Sequence, residues 1–529
     1  MRQAAVPMRV RDVVDGAALV DFPDASEEAG NRRAVAIAAA LTAAPPDGFL
    51  AGVPGAATLL LLFDPLRLAA EVLRRRLKEL AQSSGGEPAE RLLRIPVWYG
   101  GPDLADLARE RSIPDAKLAE QHAAGSYRVA FLGFTPGFAY LTGLARQLHA
   151  PRLPTPRTRV PAGSVAIGGP YTGIYPDETP GGWRLIGRSP VRLFDPRATP
   201  PSLLRPGDEV RFEPIGEPEF HSQSARARAG DSVSNPPSGR PIIRVLSPGL
   251  SSSVQGAPNF RFVSWGVPPG GAMDIVALAE GNAKLGNSKE AAGLEVTLVG
   301  PELEALETID ACMSGARPAA DLDGRAISLS EPFEWRAGEK LRVPRVEGGA
   351  RSYLCVAGGL AASGLPETSR RLKSGDLLYA PEETARGPAR PFANPERGIA
   401  ESASVVRVVL AEPGLFTPES VRDFLGSPFR VSASSDRRGV RLEGPPLAHE
   451  TGADVPPEGT APGAIQVPRD GQPIVLGPDR PVTGGYAKVA TVIGADLPVI
   501  AQSAPGRVLR FTAVSLSEAV DARVRMERP

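Results

Sequence analysis

The chain has 529 residues, and its 60 Lys and Arg are matched by 60 Asp and Glu. A nucleic-acid binder draws its affinity from cationic contacts to phosphate and carries a basic excess, so this balance argues against nucleic acid as a partner. At roughly 100–200 residues per domain, the length implies about three or four domains with several hydrophobic cores.

The first hundred residues alternate strand and helix. A strand is expected over 17–22, an Ala-rich helix over 33–41 and an apolar strand over 58–63. Asp64-Pro65 reads as a helix start, with Asp at the N-cap and Pro at the first position. The helix that follows places Ala69, Val72, Leu73, Leu77 and Leu80 three or four residues apart on one face and ends at Gly85-Gly86. A further strand over 94–99 completes a small α/β sandwich, 1–100. Two short helices, 103–109 and 114–122, then lead into strands and turns from 127 to 214.

The stretch 216–240 is rich in Ser, Ala, Arg, Gly and Pro and reads as a flexible linker. The second half begins near 241. It contains a helix over 274–285 and strands over 294–299, 340–343, 352–356 and 405–409. A polar stretch at 381–404 divides it, and 463–511 returns to strand and turn. The units expected are therefore 1–100, a barrel over 101–215, the linker, a barrel over 241–390 and another over 391–529. Glycine (57) and proline (56) are each about a tenth of the chain, above the usual ~7% and ~5%. Interleaved with Val, Ile and Leu, they mark short strands joined by tight turns. Pro161-Ala162-Gly163-Ser164-Val165-Ala166-Ile167 is faintly echoed by Pro462-Gly463-Ala464-Ile465-Gln466-Val467, which suggests related barrel elements in the two halves.

Segment 131–187 is the most unusual. Its glycines permit close backbone approach while its prolines fix φ, which together define a rigid loop surface. Phe134, Phe138, Tyr140 and Trp183 offer apolar walls, and Arg152, Arg157 and Arg159 offer donors to an anion such as a carboxylate. The same residues would also suit a turn-rich barrel end with solvated arginines.

These residues carry a resemblance. Gly133-Phe134, Pro136-Gly137-Phe138, Tyr140-Leu141, Pro151-Arg152, Pro156-Arg157, Val160-Pro161-Ala162-Gly163-Ser164-Val165 and Pro180-Gly181-Gly182-Trp183 resemble the signature of the allophanate-hydrolase subunit 1 family, with His122 and Tyr127 in place of its His-x(4)-Tyr. That family includes the B subunit of 5-oxoprolinase and a sporulation-kinase inhibitor. The second half resembles the partner family, allophanate-hydrolase subunit 2, through Gly266-Val267-Pro268, Gly270-Gly271-Ala272-Met273-Asp274, Asn282 and Leu294-Glu295-Val296-Thr297. Asp436-Arg437, Gly439-Val440-Arg441-Leu442, Gly463-Ala464-Ile465-Gln466-Val467-Pro468, Gly471-Gln472-Pro473-Ile474, Thr483-Gly484-Gly485-Tyr486 and Lys488 extend the match. Three positions depart from the pattern. Gln255-Gly256-Ala257-Pro258-Asn259 replaces Gln-Asp-x-Gly-Arg, the loop after Gly358-Gly359 is short, ending near Thr368-Ser369-Arg370, and Ala411-Glu412-Pro413 replaces Gly-Pro-Gln. These changes weight the second half toward binding over catalysis.

The resemblance implies an α+β, mainly β chain: an N-terminal α/β sandwich followed by cyclophilin-like β-barrels. It implies a component of an ATP-dependent 5-oxoprolinase that opens a lactam together with a separate A subunit. Two alternatives stay open: a carboxyltransferase component related to urea carboxylase, with biotin as carrier, and a non-catalytic regulator that binds a histidine kinase. Such chemistry needs an anion clamp, an acid/base and donors to a developing oxyanion. Under the resemblance, Arg152 or Arg157 would be the clamp and His122 the acid/base. Backbone N–H groups at Gly163-Ser164 or Gly181-Gly182 would be the oxyanion donors. Phe134, Pro136, Gly137, Phe138, Tyr140, Pro161 and Trp183 would line the site. Asn282, Glu295, Asp436, Arg437, Arg441, Gln466, Gln472, Tyr486 and Lys488 would contribute from the second half.

Other classes are disfavoured. No G-x(4)-G-K-[ST] loop occurs, so any ATP site is not of that type. The four histidines, 122, 149, 221 and 449, are too scattered for a metal centre. Cys312 and Cys355 give no disulfide framework. The longest nearly apolar run, 56–63, is far too short for a bilayer and the first residues lack a leader-like apolar core, so a cytoplasmic protein with no membrane partner is expected. Self-association is left open.

Overall fold

The computed structural model describes residues 8–23, 25–82, 91–229, 239–362, 371–382 and 404–527. Gly85-Gly86, Thr368-Ser369-Arg370 and 383–403 of the polar stretch lie outside the described residues.

The N-terminal unit is an antiparallel sheet in the order Arg9–Val14, Ala17–Asp21, Thr58–Phe63, Phe49–Pro54. Alternate residues of a strand face opposite ways, and here both faces are covered. Leu59 and Leu61 pack under helices Glu27–Ala43 and Ala70–Gln82, against Ile37, Leu41, Leu73 and Leu77. Leu60 and Leu62 face the other way, onto Val263, Ala461, Val482 and Ile493 of the second half. Two-sided burial is why this strand is an uninterrupted apolar run.

Two expectations here are corrected. The first helix begins at Glu27 rather than 33, because Ser26 caps the Ala29 N–H at 3.3 Å and Glu27 and Glu28 complement the helix dipole. Asp64-Pro65 heads a separate turn: the Asp64 carbonyl accepts from Arg67 and Leu68 N–H and its carboxylate from Leu66 N–H, so the helix starts only at Ala70. Its core face is Leu73, Leu77 and Leu80, while Ala69 and Val72 point outward.

The next sheet runs Arg184–Arg188, Ser164–Gly168, Tyr171–Ile174, Ala139–Thr142, Tyr127–Leu132, Glu209–Pro214, Leu92–Val97, the last pair parallel. Trp98 and Arg188 exchange backbone hydrogen bonds of 2.8 Å and join its two ends. The strand expected at 94–99 thus belongs to this barrel and not to the sandwich. Helices Leu104–Glu110 and Asp115–Ala123 pack against it through Leu107 and Leu118.

The stretch read as a flexible linker contains the helix Glu217–Ala229. Acidic residues in its first turn suit the N-terminus of the dipole, and buried Phe220 packs on Trp98 at 5.3 Å. The second half continues with a five-stranded and a six-stranded sheet around the core of Trp335, Leu341 and Leu354. Helix Ile275–Lys284 is capped by Asp274.

The last sheet is a closed barrel in the order Ser404–Leu410, Lys488–Val492, Ala464–Gln466, Ile474–Leu476, Gly439–Glu443, Phe429–Val431, Val508–Ala513. Its strand order repeats that of the first barrel, including the parallel pair. The faint sequence echo is one turn used twice. Gly163 has φ +79°, donates to Tyr175 O at 2.7 Å and accepts from Ser189 N–H at 2.8 Å. Gly463 has φ +76°, donates to Leu476 O and accepts from Val492 N–H, both at 2.9 Å. The left-handed backbone at this turn favours glycine. Each barrel also carries a side hairpin: Arg157–Val160 with Thr179–Gly181 in the first, Asp454–Gly459 with Thr483–Tyr486 in the second. Helices Pro418–Gly426, capped by Thr417, and Leu516–Glu527 were not anticipated.

Candidate site at the junction of the two halves

The second barrel is the hub. The Ala56 N–H of the sandwich donates to Pro457 O at 2.7 Å. Thr483 reaches the first barrel, its Oγ1 lying 3.4 Å from Leu132 O, and a β-carbon on Gly133 would collide with that hydroxyl. Gly133 therefore lets the 133–138 loop close onto the second half. On the other side, Gly270 N–H meets Pro478 O at 3.3 Å.

In the first barrel, the loop residues expected to line a site do come together, mostly as a packed aromatic cluster. Phe138 contacts Tyr140, Tyr175 and Trp183 with ring centroids 5.1 to 5.3 Å apart, edge to face. Phe138, Tyr140 and Trp183 are buried. Phe134 projects from this cluster, 36% exposed, with φ +67°, a conformation that costs a bulky residue strain and recurs at binding sites. Pro136 is half-buried beside it, Gly137 turns at φ +80°, and Pro161 is exposed.

The donors expected there are largely committed. The Gly163 N–H is bonded to Tyr175 O, and the Ser164 N–H and hydroxyl both reach Pro161 O, at 3.3 and 2.7 Å. Gly181 is buried in register with Arg157, and the Gly182 carbonyl accepts from Leu153 N–H. Arg157 Nη2 donates to buried Asp103 at 2.6 Å, and Arg159 pairs with Glu178 at 2.7 Å. Arg152 is exposed, and its charge bears on Tyr140 and Tyr175.

His122 is placed in the core. Its Nδ1 is 2.8 Å from Tyr99 Oη, its Nε2 is 2.9 Å from Thr172 Oγ1, and its ring stacks on Phe212 at 4.8 Å. The side chain is fully buried, which lowers its pKa to about 3. A neutral imidazole bonded at both nitrogens fixes packing; no acid–base step is drawn from it.

The second-half residues divide sharply. Asn282 staples a loop, with Nδ2 on Ala291 O and Oδ1 accepting from Asn287. Asp436 caps a turn through the Arg438 and Gly439 N–H groups, and Gln472 bonds both backbone groups of Gly444. Arg441 and Tyr486 are exposed, and Lys488 pairs with Glu458. Glu295 and Arg437, by contrast, centre a buried ionic network. Arg437 Nη1 donates to Glu295 at 2.7 Å, its Nε and Nη2 grip Asp479 at 2.9 and 3.0 Å, and Nη2 also reaches Gly271 O at 2.7 Å. Glu295 accepts further from Tyr353 Oη at 2.8 Å and Met273 N–H at 2.9 Å, with Arg351 3.6 Å away.

Burial opposes every charge in this network. Even so, the two carboxylates hold Arg437 above its ordinary range, and Arg437 with Arg351 holds Glu295 below the usual carboxylate range. Burial leaves Asp479 raised, its pairing with Arg437 offsetting only part.

Sequence reading passed over Asp479, Arg480 and Arg351. A signal existed: Pro478-Asp479 before Thr483-Gly484-Gly485-Tyr486 parallels Pro176-Asp177 before Pro180-Gly181-Gly182-Trp183, at the same place in each barrel. Among the described residues, no group of three or more His, Cys, Asp or Glu could hold a metal, and no helix is long and apolar enough to cross a membrane.

Two barrels of one strand order, meeting through their loops, define a class, and comparison with known proteins identifies it. Residues 8–204 match the family described as carboxyltransferase domain, subdomain C and D, and residues 265–513 match carboxyltransferase domain, subdomain A and B. The chain is 36% identical to the B subunit of 5-oxoprolinase from Bacillus subtilis over 234 residues, 41% of this chain and 97% of that protein. It is 32% identical to the C subunit of 5-oxoprolinase from Escherichia coli K12 over 297 residues, 54% of this chain and 96% of that protein. The crystal structure of TTHA0988 superposes with a TM-score of 0.81 at 36% identity, covering 94% of this chain and 99% of that one. Urea amidolyase of Saccharomyces cerevisiae is 30% identical over 326 residues, 55% of this chain but only 18% of that protein. The chain belongs to the carboxyltransferase-domain family that includes the 5-oxoprolinase B and C subunits, with its B-like and C-like halves fused.

Proposed function

We propose that this chain is the fused B and C component of an ATP-dependent 5-oxoprolinase, which opens the lactam of 5-oxoproline to glutamate together with a separate A subunit. One observation carries the reading. Two halves that each align with nearly the full length of a 5-oxoprolinase component are joined in one chain and packed loop to loop at Gly133 and Thr483.

Opening the lactam adds water across the C–N bond: the carbonyl carbon gains oxygen and the ring nitrogen leaves as an amine. The chain's part is to bind and orient this substrate between the 133–138 loop and the second barrel, with Phe134 as an exposed apolar contact. Of the first-half arginines expected to bind an anion, Arg157 and Arg159 are paired with carboxylates and Arg152 is exposed. The test is a coupled assay for glutamate from 5-oxoproline and ATP, with the purified chain, a purified A subunit and both together. Glutamate formed only by the pair supports the reading; none from any combination overturns it.

The family description favours one second reading, a carboxyltransferase component with biotin as carrier. It predicts carboxyl transfer that depends on carboxybiotin and proceeds without an A subunit.

A further inference from the structure

Arg480 differs from the other charged groups at the junction. It is fully buried, its Nε donates to Thr460 O at 2.9 Å, and its Nη1 and Nη2 have no hydrogen-bond partner among the described residues. The adjacent carboxylate, Asp479, places both oxygens on Arg437. Without a partner of its own, the Arg480 guanidinium is held by burial at a pKa of about 9. Close by, Gln466 Nε2 is also buried, without an acceptor among the described residues. Thr460 links the two neighbourhoods: Arg480 bonds its carbonyl, and a β-carbon on Gly484 would stand 2.5 Å from Gln466 Nε2 and 3.3 Å from Thr460 Cγ2. Gly484 follows Thr483, the residue that meets Leu132 and Gly133 of the first half.

We propose that Arg480 and Gln466 form a receptor for a small carboxylate where the two halves of the chain meet. A guanidinium with its two terminal nitrogens free matches the planar fork of a carboxylate, and a neighbouring amide N–H extends the match. Leaving such a cation buried and unpaired costs more than a hydrogen bond, whereas binding an anion recovers that cost. The surroundings are Thr460 and, beside it and Arg480 in the sequence, the apolar Ala461 and Val482, packed in the core shared by the sandwich and the second barrel. They favour a compact, singly charged group over a phosphate, which gives up more hydration and asks for more donors. The receptor replaces Arg152 and Arg157 as the anion clamp. Its identity as an anion site stands on geometry alone, whereas 5-oxoproline as its natural ligand rests on the proposed oxoprolinase reading.

The experiment is calorimetric titration of the full chain with 5-oxoproline, acetate, 2-pyrrolidinone (the neutral lactam) and inorganic phosphate, using wild type, Arg480→Met and Gln466→Met. Carboxylates are expected to bind the wild type, and 2-pyrrolidinone and phosphate to bind far less. Arg480→Met should weaken carboxylate binding about a hundredfold and Gln466→Met about tenfold. Without ligand, Arg480→Met should unfold at the same denaturant concentration as wild type or a higher one, because an uncompensated charge has been removed. This separates lost binding from lost folding. Acetate binding that depends on Arg480, with no binding of 5-oxoproline, upholds the receptor and counts against the oxoprolinase reading. The proposal is overturned if no carboxylate binds the wild type, if Arg480→Met binds carboxylates equally well, or if phosphate binds more tightly.

Discussion

The two barrels share a strand order but load the same loops with opposite chemistry. In the first, the loop at 133–138 and the segment at 175–183 bring together Phe134, Phe138, Tyr175 and Trp183. In the second, the corresponding stretches bring Arg437, Asp479 and Arg480. Topology decides where the loops converge; side chains decide whether the junction is held by burial or by pairing. Burial saturates, since a packed ring has no unmet demand. Pairing need not: the network pairs Arg437 with Glu295 and Asp479 and leaves Arg480 beside it without an acceptor among the described residues. Under the proposed reading, the aromatic side supplies shape and the ionic side supplies affinity.

The largest effect should come from breaking the ionic side. Arg437→Met strands Glu295 and Asp479 in the interior and should cost about 3–5 kcal/mol in urea denaturation. Arg157→Met removes a partner from Asp103 at a half-buried position and should cost about 1–2 kcal/mol. Equal losses would mean that the buried network at the junction is worth no more than a half-buried ion pair inside the first barrel.

The aromatic side has its own weak point in His122. Its folded pKa of about 3 lies below the ordinary 6.5. The neutral ring therefore contributes stability that is fully present above pH 6.5 and is lost as pH falls toward 3, on the order of 5 kcal/mol between those limits. His122→Gln should lower stability at pH 8 and flatten the acid limb. If turnover can be reconstituted, the pH profile of kcat should keep its shape in this variant; a lost limb would restore the acid–base role.

How much of this was legible follows the same division. The aromatic loop announced itself because Gly, Pro and aromatic residues are conspicuous in sequence, and the apolar strand at 58–63 because its burial is two-sided. The turn at Gly163 was visible as an echo at Gly463, since a left-handed position admits few alternatives. The ionic network was only half visible. Glu295 and Arg437 were found through the family resemblance, but their partner Asp479 and the unpaired Arg480 were not, because pairing across 142 positions leaves no periodicity to read. His122 is ambiguous in the sequence for the converse reason. A histidine at a helix end reads the same whether it faces a substrate or, as here, Tyr99 and Thr172. The helix at Glu217–Ala229 was hidden by a composition typical of linkers, and the single apolar anchor Phe220 was too little to outweigh it.

The coupling between the halves should respond to a single methyl group. Gly133→Ala places a β-carbon against Thr483 Oγ1 and should cost roughly 1–3 kcal/mol. Thr483→Gly in the same chain should recover much of that loss. Additive costs in this double-mutant cycle would show that the loop and the strand do not touch in solution.

The smallest effect concerns Asp15, which joins the sandwich to the second barrel and titrates in the opposite sense to His122. Its Oδ1 accepts from Gly494 N–H at 2.9 Å, while burial raises its pKa from 3.8 to about 6 against the nearby charge of Arg523. For a carboxyl raised on folding, the protonated form is the one the folded state favours. Its contribution is full below pH 3.8 and is lost as pH rises through about 6. Asp15→Asn keeps an acceptor for Gly494 and removes the charge, so it should stabilise the chain at pH 7.5 by about 1–2 kcal/mol and do nothing at pH 3.5. Between pH 6 and 4 the wild type gains at Asp15 part of what it loses at His122, so its acid limb should be shallower than that of Asp15→Asn. A steeper wild-type limb would mean that Asp15 is ionised and paired in the folded chain, with Arg523 as its partner.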